Sequence, residues 1–401
     1  VIASLWPTCY ENLREPFALG PVCGVTKRRG EGMNSSIVRY AVVGLGHIAQ
    51  VAVLPAFEHA TENSQLTALI SSDPDKLHEL SERYGVKNCF SYDEYETALR
   101  SNTFDAVYIA LPNDMHKKYA IAAANAGIHV LCEKPMATLK DDCKQMIAAA
   151  KSNNVKLMVA YRLHFERTNM KTVEALELGK IGIPKLFNSS FTLQVREENI
   201  RTQREHGGGP LYDIGIYCIN AARYVFQEEP IEITALATNG TDFRFEEIDE
   251  SVAVIMKFSN DRIASFVCSF GCQQVSHYEV VGTKGSIRVE PAYEYADETG
   301  FELKEGKREH SLVTGKRDQF APELIHFSGC VLCGDEPRPS GFEGLADIRI
   351  IEAIQVSIAT GEAVSLAPFN PPTSKPTSEL INEKPGVKKT ELVKVQSGSK
   401  D

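Results

Sequence analysis

Three short stretches carry residue types and spacings that can do chemistry. The first is Glu133-Lys134-Pro135, which follows an apolar run ending in Cys132. A lysine at the end of a buried strand, held by a following proline, has a fixed position that a solvated loop lysine does not need. The second is Gly207-Gly208-Gly209-Pro210-Leu211-Tyr212-Asp213-Ile214-Gly215-Ile216-Tyr217. Asp213 and Tyr217 are four residues apart and share one face if the segment is helical. The glycines before them allow backbone to approach a ligand closely. A purely structural alternative stands beside this: Asp213 as an early-helix acid favoured by the dipole, and Tyr217 as a half-buried aromatic. The third stretch is Gly44-Leu45-Gly46-His47-Ile48-Ala49, directly after the apolar run 38–43. Gly-x-Gly-x-x-Ala between a strand and a helix is the order of a dinucleotide-binding turn. Gly44 permits the tight turn, Gly46 lets backbone approach a pyrophosphate, and Ala49 lets helix and strand pack closely. The helix N-terminus then offers free N–H groups and a positive dipole end to phosphates.

These residues need a scaffold, and the chain supplies one. From Val38 to Ala160, apolar runs alternate with helix-like segments, with strands expected over 38–43, 65–70, 88–91, 105–110, 129–132 and 156–160. That alternation predicts a parallel, doubly wound sheet. Ligands bind outside the carboxyl ends of such strands. A cofactor site is therefore expected at Gly44, Leu45, Gly46, His47 and Ile48, at Ser71, Ser72 and Lys76, at Leu111, Pro112, Asn113 and His116, and at Glu133 and Lys134. Two hydroxyls and a cation after the second strand suit a 2′-phosphate and favour NADP over NAD. Asp73 could serve the ribose of NAD, but with Pro74 following it is read as a helix N-cap. His116 is either a wall of the nicotinamide pocket or a residue of the helix start.

The character changes near Tyr161. A helix over 166–178 gives way to long strands over 184–195, 231–237, 251–258, 263–270, 276–281 and 286–290, several with the alternation of a half-buried antiparallel sheet. Helices are expected over 211–226 and 344–360. The chain thus reads as an α/β protein in four parts. An irregular N-terminal extension (1–36) precedes a Rossmann domain (37–161). A substrate-binding and oligomerisation domain with a large, mostly antiparallel open sheet (162–366) follows, and then a flexible Pro-, Lys- and Ser-rich tail (367–401). Met33 reads as the natural start; the competing reading makes the residues before it a native arm over a neighbouring subunit or the cofactor.

The bulk properties exclude several partners. At 401 residues the chain has room for about two or three domains. A formal net charge of −10 without a Lys/Arg-rich patch argues against nucleic acid. No apolar run approaches the roughly 18 residues of a membrane helix. The ten cysteines lie mostly in apolar runs and read as reduced thiols, which fits the cytoplasm. The periplasm fits less well, because no secretory signal pattern stands out. Cys330-Val331-Leu332-Cys333 lacks the second pair a zinc site needs and reads as a helix end, so no metal is expected.

Together, Gly44-Leu45-Gly46, Glu133-Lys134-Pro135 and the Gly207–Tyr217 stretch resemble the Gfo/Idh/MocA oxidoreductase family, and within it most the glucose–fructose oxidoreductase branch. Ala106 to Asn113, Cys132 to Thr138 and Glu228 to Glu232 extend the resemblance, which covers roughly Arg39 to Leu366. It implies a second-domain sheet that forms the subunit interface, hence a homodimer or homotetramer. It implies Lys134, Asp213 and Tyr217 as catalytic residues, and NADP as cofactor, since that branch carries serine and lysine near Ser71 and Lys76. Arg162 is placed with the cofactor set. Tyr161 and Arg204 join Lys134, Asp213 and Tyr217 toward the sugar; Arg162, His164, Arg201 and Arg204 are each either a sugar contact or merely a surface or structural residue. Glu198 to His206 departs from the branch's substrate loop, and Val1 to Gly32 from its arm.

The reaction this implies is hydride transfer between C1 of a cyclic aldose and a nicotinamide. Tyr217 would take the hydroxyl proton. A free phenol has a pKa of about 10, and a neighbouring ammonium such as Lys134 favours its ionised form. Asp213 would orient the pair. Three functions follow: a freely exchanging NADP-dependent aldose dehydrogenase, a sugar–sugar oxidoreductase that holds its NADP tightly, and, from another class, a non-catalytic sugar or dinucleotide sensor.

Overall fold

The computed structural model describes residues 36–369, 371–372, 376–377 and 380–399. Apart from Ser36, the expected N-terminal extension and Met33 lie outside them. The described residues belong to one compact unit.

Six parallel strands build the first sheet: β1 (Val38–Val43), β2 (Ser64–Ile70), β3 (Asn88–Phe90), β4 (Ala106–Ile109), β5 (His129–Glu133) and β6 (Leu157–Ala160), in the order β3-β2-β1-β4-β5-β6. The order reverses between β1 and β4, which opens a crevice at their carboxyl ends. Gly44 shapes it. Its φ is +95°, and a Cβ there would stand 2.4 Å from the carbonyl oxygen of Ala110, just past β4. No side chain fits that approach. The helix after the glycine turn begins as a widened turn over Ala49–Val53 and continues as Leu54–Ala56, where Pro55 supplies no N–H to the ladder. Asp73 caps the helix Pro74–Tyr84 by accepting from Asp75 N and Lys76 N.

β4 and β6 are buried along their whole length, so both faces of this sheet need cover. On one face, Gly344 of the helix Gly341–Thr360 approaches Met136 and Val159 so closely that a Cβ would clash. On the other lies the helix Phe320–Cys333, of which the sequence suggested only the end. Its Phe320, Leu324 and Phe327 pack with Tyr40, Val42, Leu69 and Tyr108. Ser328 Oγ lies 2.7 Å from both Tyr40 Oη and Ser64 Oγ. A helix from late in the chain thus completes the core of the first sheet.

The second sheet comprises β7 (Pro184–Gln194), β8 (Glu232–Thr238), β9 (Ser251–Phe258), β10 (Arg262–Ser269), β11 (Gly271–Gly282), β12 (Gly285–Val289), β13 (Thr299–Glu305), β14 (Arg308–Thr314) and β16 (Val364–Ser365). Only the central pair β7 and β10 is parallel. β9 alternates without a break: Val252, Val254, Met256 and Phe258 point inward, and Ala253, Ile255 and Lys257 outward. The helix Ile216–Phe226 lies against the inner face, continuing a widened turn over Leu211–Gly215.

The segment from Ala367, expected to be a flexible tail, has partners instead. Its β17 (Lys384–Pro385) pairs antiparallel with β15 (Arg317–Asp318). Val393 is 4% exposed within the apolar cluster of the first sheet. Composition pointed to disorder because the apolar anchors here are few and far apart.

Candidate functional site

Glu133 ends β5, so Lys134 leaves the sheet at the crevice with its stem confined by the fold. Its Nζ donates to the Asp213 carbonyl at 2.8 Å and to Asp213 Oδ1 at 3.0 Å. Asp213 sits in the widened turn that opens the second-domain helix, and Tyr217 follows in the first turn of that helix. The Lys134 ammonium lies 4.9 Å from the centroid of the Tyr217 ring. The three residues therefore meet in one cleft of about 590 Å³, whose floor includes Gly46, His47 and Ile48.

Arg201 Nε approaches the other carboxylate oxygen, Asp213 Oδ2, at 2.7 Å. Burial alone would raise the Asp213 pKa, but Arg201 and Lys134 outweigh it and hold the group at about 2. Burial likewise draws Lys134 down, and the facing Tyr217, Asp213 and Glu133 outweigh it and raise its pKa. The pair is fully ionised near neutral pH. Arg162 brings a second cation to the ring, with Cζ 4.9 Å from the Tyr217 centroid. Its guanidinium is anchored by Gln319 Oε1 at 2.5 Å and by the Tyr293 carbonyl.

The glycine run serves this geometry by a route other than the one expected. Gly208 N donates to Gln203 O and Gly209 N to Arg201 O, and a Cβ at Gly208 would stand 2.5 Å from Arg201 O. The missing side chains admit the 201–203 turn, which aims Arg201 at Asp213. Gly207 is tethered by Asn113 Nδ2, which donates to its carbonyl at 2.8 Å.

The cleft also fits the dinucleotide the glycine turn calls for. A Cβ on Gly46 would meet nothing within 4 Å, so its face opens on free space, in contrast to the packed Gly44. Leu111, Pro112 and Asn113 form the wall after β4, and Glu133 and Lys134 the wall after β5. Leu45 is buried against the first sheet and is not among the walls of the cleft. Ser71, Ser72 and Lys76 stand at the end of β2, beside Gly44, whose N–H donates to Ile70 O, but outside the walls of the cleft itself. Ser71 Oγ accepts from Asp73 N at 3.2 Å, Ser72 is exposed and Lys76 is half-buried.

Residues 38–161 match the oxidoreductase family with NAD-binding Rossmann fold, and residues 170–288 match the GFO/IDH/MocA C-terminal domain. The chain belongs to the Gfo/Idh/MocA oxidoreductase family. An aldose–aldose oxidoreductase from Caulobacter crescentus, solved with glycerol, is 34% identical with a TM-score of 0.79, over 82% of this chain and 100% of that one. A D-xylose 1-dehydrogenase [NADP(+)] from Haloarcula marismortui is 29% identical over 82% of this chain and 93% of its own. A 3-ketoreductase from Actinomadura kijaniata, solved with NADP and TDP-benzene, is 25% identical with a TM-score of 0.74, over 80% of this chain and 98% of that one.

Within this nicotinamide-dependent oxidoreductase, Tyr161, expected at the sugar, is engaged elsewhere, and His164, Arg204 and His116, the last at the start of the helix His116–Asn125, take the structural side of their alternatives. Tyr161 is buried with its hydroxyl 2.5 Å from Asp347 Oδ2. His164 Nε2 lies 2.8 Å from Asn220 Oδ1, and Asn220 donates to the same Asp347 oxygen. Both rings thus belong to a buried network centred on Arg223, which pairs with Glu229, Glu343 and Asp347 at 2.7–2.8 Å. Arg204 Nε donates to the Glu247 carbonyl, away from the cleft. His116 is fully buried with its ring nitrogens 2.8 Å from Pro135 O and 2.9 Å from Leu111 O, so it ties two crevice loops together from behind. The sequence reading left out Gln274 and the Tyr293–Asp297 loop after β12, which line the cleft, and Val395–Ser399 from the C-terminal segment. No periodicity or motif marks any of them.

Proposed function

We propose that this oxidoreductase uses NADP to move hydride between C1 of a cyclic aldose and the nicotinamide. The observation that carries the reading is the convergence of the Lys134 ammonium, the Asp213 carboxylate and the Tyr217 phenol on one cleft with the glycine turn. The names of the xylose dehydrogenase and the aldose–aldose oxidoreductase support the substrate class, and NADP in the related 3-ketoreductase supports the cofactor.

A bound nicotinamide supplies the hydride acceptor or donor. The protein's own side chains handle the proton. Tyr217 takes it from the C1 hydroxyl during oxidation and returns it during reduction. Lys134 and Arg162, each 4.9 Å from the ring, stabilise negative charge developing on the phenol. Asp213, fixed as an anion between Lys134 and Arg201, accepts a hydrogen bond from a neighbouring sugar hydroxyl and orients the ring. Gln274 and Glu294, joined at 3.1 Å, offer further polar contacts on the sugar side.

A homo-oligomer through the second sheet fits its outer face, where Leu186, Leu236, Ile255, Ile263 and Val267 are exposed. The described cysteines form no disulfides, which supports a cytoplasmic setting. Among the described residues no helix is long and apolar enough to cross a membrane, and no group of three or more His, Cys, Asp or Glu is placed to hold a metal.

Initial rates on a panel of aldoses, D-xylose first, with NADP and with NAD, test the proposal. NADP-dependent formation of reduced nicotinamide that is lost in Tyr217→Phe supports it. No turnover on any aldose with either cofactor would overturn it in favour of a sensor. The second enzymatic reading, sugar–sugar transfer with retained cofactor, is favoured by Val395–Ser399 lining the cleft. It predicts reduced nicotinamide absorbance in freshly purified protein that disappears on adding a second aldose or a ketose.

A further inference from the structure

The C-terminal segment contributes Val395–Ser399 to the lining of the cleft and is fastened on both sides. On the first-domain side, Arg83 Nη1 donates to Glu391 O at 2.6 Å and Thr390 Oγ1 to Gln50 O at 3.1 Å. Gln50, 1% exposed, lies one residue beyond the Gly44–Ala49 turn. Its side chain makes a matched pair of bonds with Val393: Val393 N donates to Gln50 Oε1 at 2.8 Å, and Gln50 Nε2 donates to Val393 O at 3.0 Å. Lys394 follows, paired with Asp75 and 3.8 Å from Asp73 Oδ1. Val395 to Ser399 then line the same cleft as Gly46 and Lys134. On the second-domain side, Ser399 bridges to Val195, Arg196 N donates to Gly398 O at 3.0 Å and Arg196 Nε donates to Ser399 O at 2.7 Å. The five Cα steps from Lys394 to Ser399 reach at most about 18 Å, so the two anchorages lie within that distance of each other.

We propose that residues 380–399 are a strap that closes over the bound dinucleotide and retains it between sugar turnovers, a role that rests on the NADP reading above. Three features give it this task rather than surface decoration. The anchor at Gln50 sets the strap over the helix start where a pyrophosphate binds. Lys394 neutralises Asp73 and Asp75, whose charges would otherwise repel a 2′-phosphate beside Ser71 and Ser72. Gly398 lies against the guanidinium of Arg201 with no room for a Cβ. The strap's far end therefore rests on the cation that pairs with Asp213, and closing it completes the ion-paired cleft.

The test needs no sugar. NADPH is bound to the full-length protein and its release is followed by loss of nicotinamide fluorescence on chasing with excess NADP. Val393→Asp, which places a charge in the apolar seat, is expected to speed release at least ten-fold with the circular dichroism spectrum retained. Lys394→Glu, confined to the surface, covers the case in which Val393→Asp fails to fold. It should also speed release and lower the NADP-over-NAD affinity ratio several-fold. In the wild type, NADPH should slow trypsin cleavage after Lys388, Lys389 and Lys394. Unchanged release in the folded variants, or tighter NADPH binding once the strap is loosened, overturns the proposal. The second result would make the segment a plug. Either leaves the aldose reading standing, because no aldose is present.

Discussion

Arg201 Nε lies 2.7 Å from Asp213 Oδ2, while Lys134 Nζ holds Oδ1 of the same carboxylate at 3.0 Å. The acid is clamped between two cations, and this pins its pKa at about 2. Removing a cation from beside a carboxylate raises its pKa. In Arg201→Ala the acidic limb of the kcat/KM profile should therefore move to higher pH, and Arg201→Lys should restore part of the shift. A limb that stays in place in both variants would remove Arg201 from the machinery.

Lys134→Met takes away one of the two cations facing the Tyr217 ring and frees one oxygen of Asp213. Turnover should fall by about 10² to 10⁴, the usual scale for losing proton-transfer assistance. Tyr217→Phe should fall by a similar factor, and fluorescence titration should show that NADPH still binds to both.

The two glycines of the turn should separate folding from binding. Gly44 has φ +95° and no room beside Ala110 O, so Gly44→Ala should cost at least about 2 kcal/mol and lower the melting temperature. Gly46 faces open space, so Gly46→Ala should melt like the wild type while binding NADPH about ten-fold or more weakly. Thermal melts beside NADPH titrations distinguish the two.

Those glycines also show what the sequence could and could not convey. The turn and the six parallel strands were legible because each follows a local rule, strand–glycine–helix order or alternation; four-residue spacing only put Asp213 and Tyr217 on one face, and the family resemblance singled them out with Lys134. Tyr161 misled because a polar aromatic near a strand end looks the same whether it faces a ligand or a buried carboxylate, and for the same reason His164 stayed open between sugar contact and structural residue. The partner of Tyr161, Asp347, is 186 residues away, and that of His164, Asn220, is 56 away. Arg201 was visible only as one cation among several; what singles it out is the turn admitted by Gly208, a contact in space rather than in pattern. The tail misled in the same way, since its hold depends on one apolar residue and one glutamine side chain on the other side of the fold.

The Arg223 cluster predicts a change in stability rather than in rate. Arg223→Met leaves Glu229, Glu343 and Asp347 facing one another in the interior without their cation. Urea unfolding should show a loss of about 3–5 kcal/mol, the range for breaking a buried pair from one side.

Asp347 carries a pH signature of its own. Burial first, with Glu343 adding to it, pushes its pKa up to about 6 against the opposing pull of Arg223. A carboxyl that binds its proton more tightly folded than unfolded stabilises the protein most at low pH. That contribution fades as pH rises from about 4 to about 6. Urea midpoints across this window should decline in the wild type, and the decline should be shallower in Asp347→Asn. Equal slopes would show that the group titrates alike in both states.

The helix Phe320–Cys333 supplies Phe320, Leu324 and Phe327 to the face of the first sheet that also buries Tyr40 and Tyr108. During synthesis, then, the nucleotide-binding half emerges from the ribosome long before the part that finishes it. Its nascent sheet must wait, one side bare, until the chain has been made through Cys333, and a polypeptide arrested before that point would present chaperones with an open greasy surface rather than a finished domain.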